Sequence, residues 1–140
     1  MEFELLVNQL CIIGQDCRKY AESILKEYDI TIADLRYLLV IKRNQGIILN
    51  DVAVELKRDK AMVTRGVKKL VDLKYINKDQ DKQDTRSYKL SLTAKGEEVL
   101  IKLKDIFKEW FNEVTYNFTE EEKCLYINII EKVYRNRMYK

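Results

Sequence analysis

The sequence of 140 residues contains no proline and only four glycines. Because these residues interrupt helices most strongly, their scarcity predicts long helices without breaks. Histidine is also absent, which removes the most common general base and the most common metal ligand. There is no apolar run of about 18 residues, and the N-terminus is acidic rather than basic. We therefore expect a cytoplasmic protein with no signal peptide and no membrane partner.

Cysteine is scarce as well, with three residues at Cys11, Cys17 and Cys124. An odd number without a secretory signal argues against a disulfide framework. Cys11 and Cys17 would lie roughly 240° apart around a helix, so they do not form a zinc pair. Glycine-rich phosphate loops and nucleophile elbows are missing too. The sequence predicts no metal, no cofactor and no enzyme.

The charge is unevenly distributed along the chain. The segment 57–95 holds twelve Lys or Arg and five Asp, a net charge of +7, whereas the remainder carries −4. A protein that touches a polyanion with one face is expected to show this asymmetry.

The first half of the chain predicts three helices. Residues 3–28 carry an apolar stripe over the whole length, and extra apolar residues widen it in the first half, which favours a second partner for that helix. Thr31 and Asp34 form a capping-box-like start for a second helix that runs to about Arg43 and buries Leu35, Leu38 and Leu39. After the sequence NQG at 44–46, a short third helix buries Leu49, Val52, Ala53 and Leu56.

The fourth helix is amphipathic and basic. It lies in the stretch KRDKAMVTRGVKKL (57–70), and Asp59 is expected to cap it. Its buried stripe consists of Val63, Val67, Leu70 and Val71. The cations on its other sides could belong to an ordinary solvated face or to a surface that contacts phosphates.

The period of the sequence then changes from helical to alternating. Ile76, a polar tip and the alternating residues Tyr88, Leu90 and Leu92 predict a β-hairpin whose tip carries Lys78, Lys82 and Arg86. Thr93 begins a fifth helix that runs to about Val114, and Thr119 with Glu122 forms a capping box for a sixth. The inward residues of these two helices are predicted to be Val99, Leu103, Ile106, Trp110, Tyr126, Ile129, Ile130 and Val133.

This order predicts a mainly α fold with a small β-wing: six helices that form a winged helix-turn-helix with a helical dimerisation region. We assign residues 31–95 to the winged helix-turn-helix and residues 1–30 and 96–140 to dimerisation. The third helix would brace the fourth, which can enter a major groove about 12 Å wide. A two-fold homodimer interface is the natural use for the flanking helices.

The motifs DKAMVTRGVKKL, DTR and LSLTAKG, taken together, resemble the MarR family of bacterial and archaeal transcription regulators, over essentially the whole chain. The resemblance implies a homodimer, in many members a repressor, that binds a pseudo-palindromic site on double-stranded DNA. It also implies that Arg86 enters or flanks the minor groove and that Asp84 orients it. Many members are released by a small, often phenolic, effector. The sequence departs from the family pattern at Ile48, 57–58, Met62 and Lys74.

Charge and motif together assign the DNA-binding residues. They are Lys60, Ala61, Met62, Thr64, Arg65, Lys68, Lys69, Lys82 and Arg86. Lys60, Arg65 and Lys68 are the strongest candidates for phosphate or base-edge contacts.

Two alternatives remain open at this stage. The motif NQLC places Cys11 where a peroxide-sensing branch of the same family carries a reactive cysteine, although a free cysteine more often packs as a small apolar residue. The winged helix could instead bind another protein. The aromatic set Tyr20, Tyr37, Trp110, Phe111 and Tyr116 could line an effector pocket or belong to the core or dimer interface.

Overall fold

The computed structural model of the chain describes residues 1–139, which contain six α-helices and a three-stranded antiparallel sheet. The helices are α1 (Phe3–Leu25), α2 (Ile32–Arg43), α3 (Leu49–Leu56), α4 (Lys60–Asp72), α5 (Ala94–Val114) and α6 (Glu120–Met138), and a 3-10 turn (Lys26–Tyr28) follows α1. The strands are β1 (Ile47–Ile48), β2 (Ile76–Gln80) and β3 (Tyr88–Leu92). The predicted fold class is confirmed.

The sheet has one more strand than the sequence predicted. Its order is β1-β3-β2, and Leu90 on the central strand pairs with Ile47 on one side and Lys78 on the other. Gly46 precedes β1 with a φ of 94° and donates its N–H to the carbonyl of Leu90 at 2.8 Å. A strand of two residues is too short to show alternation.

The chain divides into two compact units, Met1–Lys102 and Leu103–Lys140. The predicted assignment of residues 1–30 and 96–140 to dimerisation concerns a partner, and it stays a prediction. No helix among residues 1–139 has the length and apolar character needed to cross a membrane.

The first unit is built around a core that draws on α1 to α5 and the sheet. Its fully buried apolar side chains include Leu25, Leu38, Ile41, Val52, Val63, Val67, Leu70 and Leu90. The predicted burial of Leu39 is wrong, since that residue is 46% exposed. The buried face of α2 follows positions 34, 37, 38, 40 and 41, and Leu39 lies about 100° beyond Leu38 on the other side of the helix.

The second unit leaves apolar side chains of α6 in contact with solvent. Tyr126, Ile129, Ile130 and Val133 were predicted to point inward, but each is exposed in the single chain. The rings of Phe111 and Phe118 contact Tyr126, but all four side chains remain exposed in the single chain. On α1, in the first unit, Leu6, Leu10 and Ile13 are similarly exposed.

The ends of the helices follow the predicted capping chemistry. Thr31 with Asp34 and Thr119 with Glu122 both form complete capping boxes, and the Thr93 hydroxyl accepts from the N–H of Gly96 at 3.0 Å. Asp59 accepts from the N–H of Met62 at 3.4 Å. At the non-glycine turns, Lys57 and Lys74 adopt φ values of 52° and 68°, the left-handed region that glycine occupies most easily.

Candidate nucleic-acid interface

Helix α4 packs one face on the core and presents the other to solvent. Val63, Val67 and Leu70 are buried, whereas the residues predicted to bind DNA are exposed at Lys60, Ala61, Met62, Thr64, Arg65, Lys68 and Lys69. The amphipathic pattern therefore places the predicted set on the accessible side of the helix. Val71 is only half-buried, at the edge of the stripe.

Lys69 differs from the other cations because it has a partner inside the domain. Its Nζ lies 2.6 Å from Oδ2 of Asp34, and that same oxygen accepts from the N–H of Thr31 at 2.9 Å. Asp34 is buried, so the ion pair joins the last turn of α4 to the first turn of α2. A DNA contact by Lys69 stays a prediction.

Near the start of α4, two exposed side chains have contacts within the chain. The hydroxyl of the exposed Thr64 donates to the carbonyl of Lys60 at 2.8 Å. Arg58 Nη1 lies 3.6 Å from the sulfur of Met62. Met62, one of the departures from the family pattern, is an exposed apolar side chain beside the cations. Arg65 and Lys68 are exposed on α4.

The loop between β2 and β3 holds Arg86 on a compact turn. Asp84 Oδ1 accepts from the backbone N–H of Arg86 at 3.0 Å and lies 3.7 Å from its Nε. The side chain of Arg86 is 95% exposed, and Lys82 is exposed on the same loop. Asp84 thus fixes the backbone at Arg86 while the guanidinium reaches into solvent.

Lys78 is a cation near this loop that the sequence analysis did not place among the site residues. Its Nζ lies 4.7 Å from the centre of the Tyr88 ring, a cation–π distance. Lys78 and Arg86 line one cleft together with Lys60 of α4. The helix and the wing therefore face a common side of the first unit.

The remaining candidate residues have varied environments. Cys11, Cys17 and Cys124 are all exposed free cysteines, and no group of potential metal ligands occurs within residues 1–139. Tyr37 belongs to the core, Tyr20 and Trp110 are half-buried, and Phe111 stacks on Tyr126 with ring centres 6.2 Å apart. Tyr116 is exposed.

Comparison with known proteins decides the family. The model of the SarA/Rot transcriptional regulators matches residues 19–103, more than half of the chain. The chain belongs to this family. The helix-turn-helix transcriptional regulator BilQ of Clostridioides difficile is 37% identical over 122 residues, which cover 87% of this chain and 82% of BilQ.

Solved structures agree with this assignment. A MarR protein from Peptoclostridium difficile DA00132 is 28% identical, with a TM-score of 0.77 over 95% of this chain and 87% of its own. FabT of Streptococcus pneumoniae in complex with DNA is 23% identical, with a TM-score of 0.82 over 96% of both chains, and it supports the fold. The predicted MarR-type family is confirmed, and so is the exclusion of an enzyme. The chain is a DNA-binding transcription regulator with a winged helix-turn-helix.

Proposed function

We propose that the chain is a homodimeric repressor that binds a pseudo-palindromic operator, with α4 in the major groove and the loop of Arg86 in the adjacent minor groove. The observation that carries this proposal is the common orientation of Lys60 and Arg86, which line the same cleft. A helix and a wing that face one side can contact one duplex together. Narrow minor grooves attract arginine, which suits the exposed Arg86.

A second copy of the chain is the proposed cover for the apolar helices. α1 exposes Phe3, Leu6, Leu10 and Ile13, and α6 separately exposes a series that includes Ile129 and Val133. Such surfaces mark interaction sites, because soluble monomers seldom leave large apolar patches in water. A two-fold axis would place the two α4 helices about 34–36 Å apart, one turn of DNA.

We extend the proposal to release by a small ligand. A cleft of about 450 Å³ lies in the first unit between the end of α1 and the start of α2, and its charged lining residues are the cations Arg18, Lys26 and Lys69 and the acids Glu22 and Asp29. A small phenolic compound there would contact Lys69, which holds α4 to Asp34. Because the regulator must reach DNA, we place its activity in the cytoplasm.

The test of the proposal begins with selection of bound fragments from a random duplex library. We expect an enriched inverted repeat whose half-sites are about 10 base pairs apart, centre to centre. Light scattering at micromolar concentration should give the mass of two chains. A stable monomer, or a selected site without two-fold symmetry, would contradict the proposal.

A salt titration separates this proposal from a winged helix that binds protein. Binding to DNA should weaken steeply with salt, because counterions return to the phosphates when the protein leaves. An apolar protein interface would respond far less. A transcription assay on the selected site then distinguishes repression from activation.

A further inference from the structure

The wing and the start of α4 border a cleft whose lining residues include no acidic side chain, although Asp84 lies beside Arg86 on the wing. The volume of the cleft is about 190 Å³, and it is lined by Ile48, Leu49, Asn50, Lys60, Lys78, Arg86, Ser87 and Tyr88. Three cations from α4, β2 and the wing loop thus share one small space. Their mutual repulsion favours an anion in the cleft.

The position of Lys78 is set by the strand register. Lys78 pairs with Leu90 and Gln80 pairs with Tyr88, so Lys78, Tyr88 and the buried Leu90 lie on one face of the sheet. The Tyr88 ring supports the Lys78 ammonium at 4.7 Å. Lys89 pairs with Asp79 and belongs to the opposite face of the same sheet.

The geometry of a duplex indicates which anion would occupy the cleft. One sugar–phosphate backbone separates a major groove from the adjacent minor groove. If α4 lies in the first and the Arg86 loop in the second, that backbone must cross the gap between them. In that arrangement the cleft lined by Lys60, Lys78 and Arg86 would be this gap.

We infer that the cleft binds one backbone phosphate of the operator, and that Lys78 is a DNA-binding residue alongside Lys60 and Arg86. The inference rests on the proposed binding mode, because it needs the helix and the wing in neighbouring grooves. Phosphate contacts fix the register of a protein on DNA without reading its sequence. Lys78 therefore contributes to affinity on every duplex and not to base preference.

The salt dependence of binding tests this role in the full-length protein. Wild type, Lys78→Gln and the matched control Lys89→Gln are compared on the selected duplex and on an unrelated duplex. We expect Lys78→Gln to flatten the plot of log K against log salt by about 0.9 per contact, or roughly 1.8 for a dimer. Affinity should fall by a similar factor on both duplexes, roughly tenfold or more near physiological salt.

The Tyr88 ring provides a second, independent variant. Tyr88→Phe keeps the aromatic face and should retain the wild-type slope, whereas Tyr88→Leu removes it and should move the slope toward that of Lys78→Gln. Loss of binding to the same extent in Tyr88→Phe and Tyr88→Leu would show that the ring does not act through Lys78.

Neutral methylphosphonate linkages identify the phosphate itself. Substituted one at a time along the backbone between the two grooves, one linkage should weaken wild type clearly and Lys78→Gln hardly at all. If wild type binds normally but Lys78→Gln and Lys89→Gln give equal slopes of log K against log salt, this inference is wrong while the proposed function stands. Failure of wild type to bind any selected duplex would overturn the proposed function along with it.

Discussion

The ring of Tyr37 in α2 occupies the space that a side chain at Gly66 of α4 would need. A Cβ at Gly66 would overlap Cε2 of the ring and approach its Cδ2 to 3.0 Å. Tyr37 is buried, so the ring has no free space to enter. The contact of this glycine with this ring sets how closely the DNA-facing helix lies on α2.

Gly66→Ala should therefore destabilise the domain and displace α4. Overpacking of this kind costs about 1–3 kcal/mol, and over most of that range the cost is larger than the gain of about 1 kcal/mol in helix propensity. Gly14→Ala in α1 is the matched control, because nothing lies within 4 Å of its Cβ, and it should be neutral or stabilising. Urea unfolding at equal protomer concentration measures both. A Gly66→Ala variant as stable as Gly14→Ala would show that the ring yields easily.

The ion pair of Lys69 with Asp34 predicts a different kind of loss. Lys69→Met removes the cation from the buried carboxylate of Asp34, which keeps the N–H of Thr31, and this should cost about 1–2 kcal/mol of unfolding free energy. The neighbour Lys68 is exposed, so Lys68→Met should leave stability unchanged and weaken DNA binding instead. Unfolding curves and anisotropy titrations of both variants give the comparison. The opposite ranking in either assay would contradict these roles.

Arg65 is expected to read the operator. Arg65→Ala should weaken binding to the selected duplex by about 1–3 kcal/mol if the guanidinium contacts a guanine edge, and it should affect an unrelated duplex much less. Fluorescence anisotropy on the two duplexes measures the difference. If the variant binds the selected site as tightly as wild type, the assignment of Arg65 is wrong.

A charged substitution on the exposed apolar face of α6 tests whether this face contacts a second copy of the chain. Ile129→Glu places a carboxylate among apolar side chains that we propose are covered by a second copy, so it should shift the protein to monomer and weaken operator binding. Asn128→Glu adds the same charge beside it, on the polar side of α6, and should stay dimeric. Light scattering distinguishes them, and two dimeric variants would remove α6 from the proposed interface.

Cys11 can be tested without assuming which alternative holds. Under the proposed function, Cys11→Ser should leave the response of DNA binding to peroxide unchanged, because an exposed cysteine on α1 need not be a sensor. Cys17→Ser is the control on the same helix. Loss of the peroxide response in Cys11→Ser alone would favour the thiol-sensing alternative.

The local features of this chain could be predicted from its sequence, whereas contacts between residues far apart in the sequence could not. Capping at Thr31, Asp59 and Thr119 depends on residues within one turn, and all three caps are present. The pair of Asp34 with Lys69 joins positions 35 residues apart, and no periodicity encodes such a pairing. The same limit hid the contact of Tyr37 with Gly66 and the short strand β1.

The solvent-facing residues show a related limit. Leu39 and the α6 series that includes Ile129 were predicted inward because apolar periodicity marks a face to be covered. It does not say whether this chain or a partner covers that face. The cleft near Lys78 was missed because the register of β2 on β3, which aims Lys78 at α4, is not visible in the spacing of cations.

Hydroxyl-radical footprinting on the selected duplex tests the central claim most directly, because it maps where helix and wing meet the backbone. The account predicts two protected patches on each strand, related by two-fold symmetry and separated by about one turn of DNA. Arg86→Ala should lose the protection at the outer edges of the site, where the wing is proposed to bind. A single patch, or a footprint unchanged by Arg86→Ala and Arg65→Ala, would contradict a dimer that binds DNA through α4 and the wing.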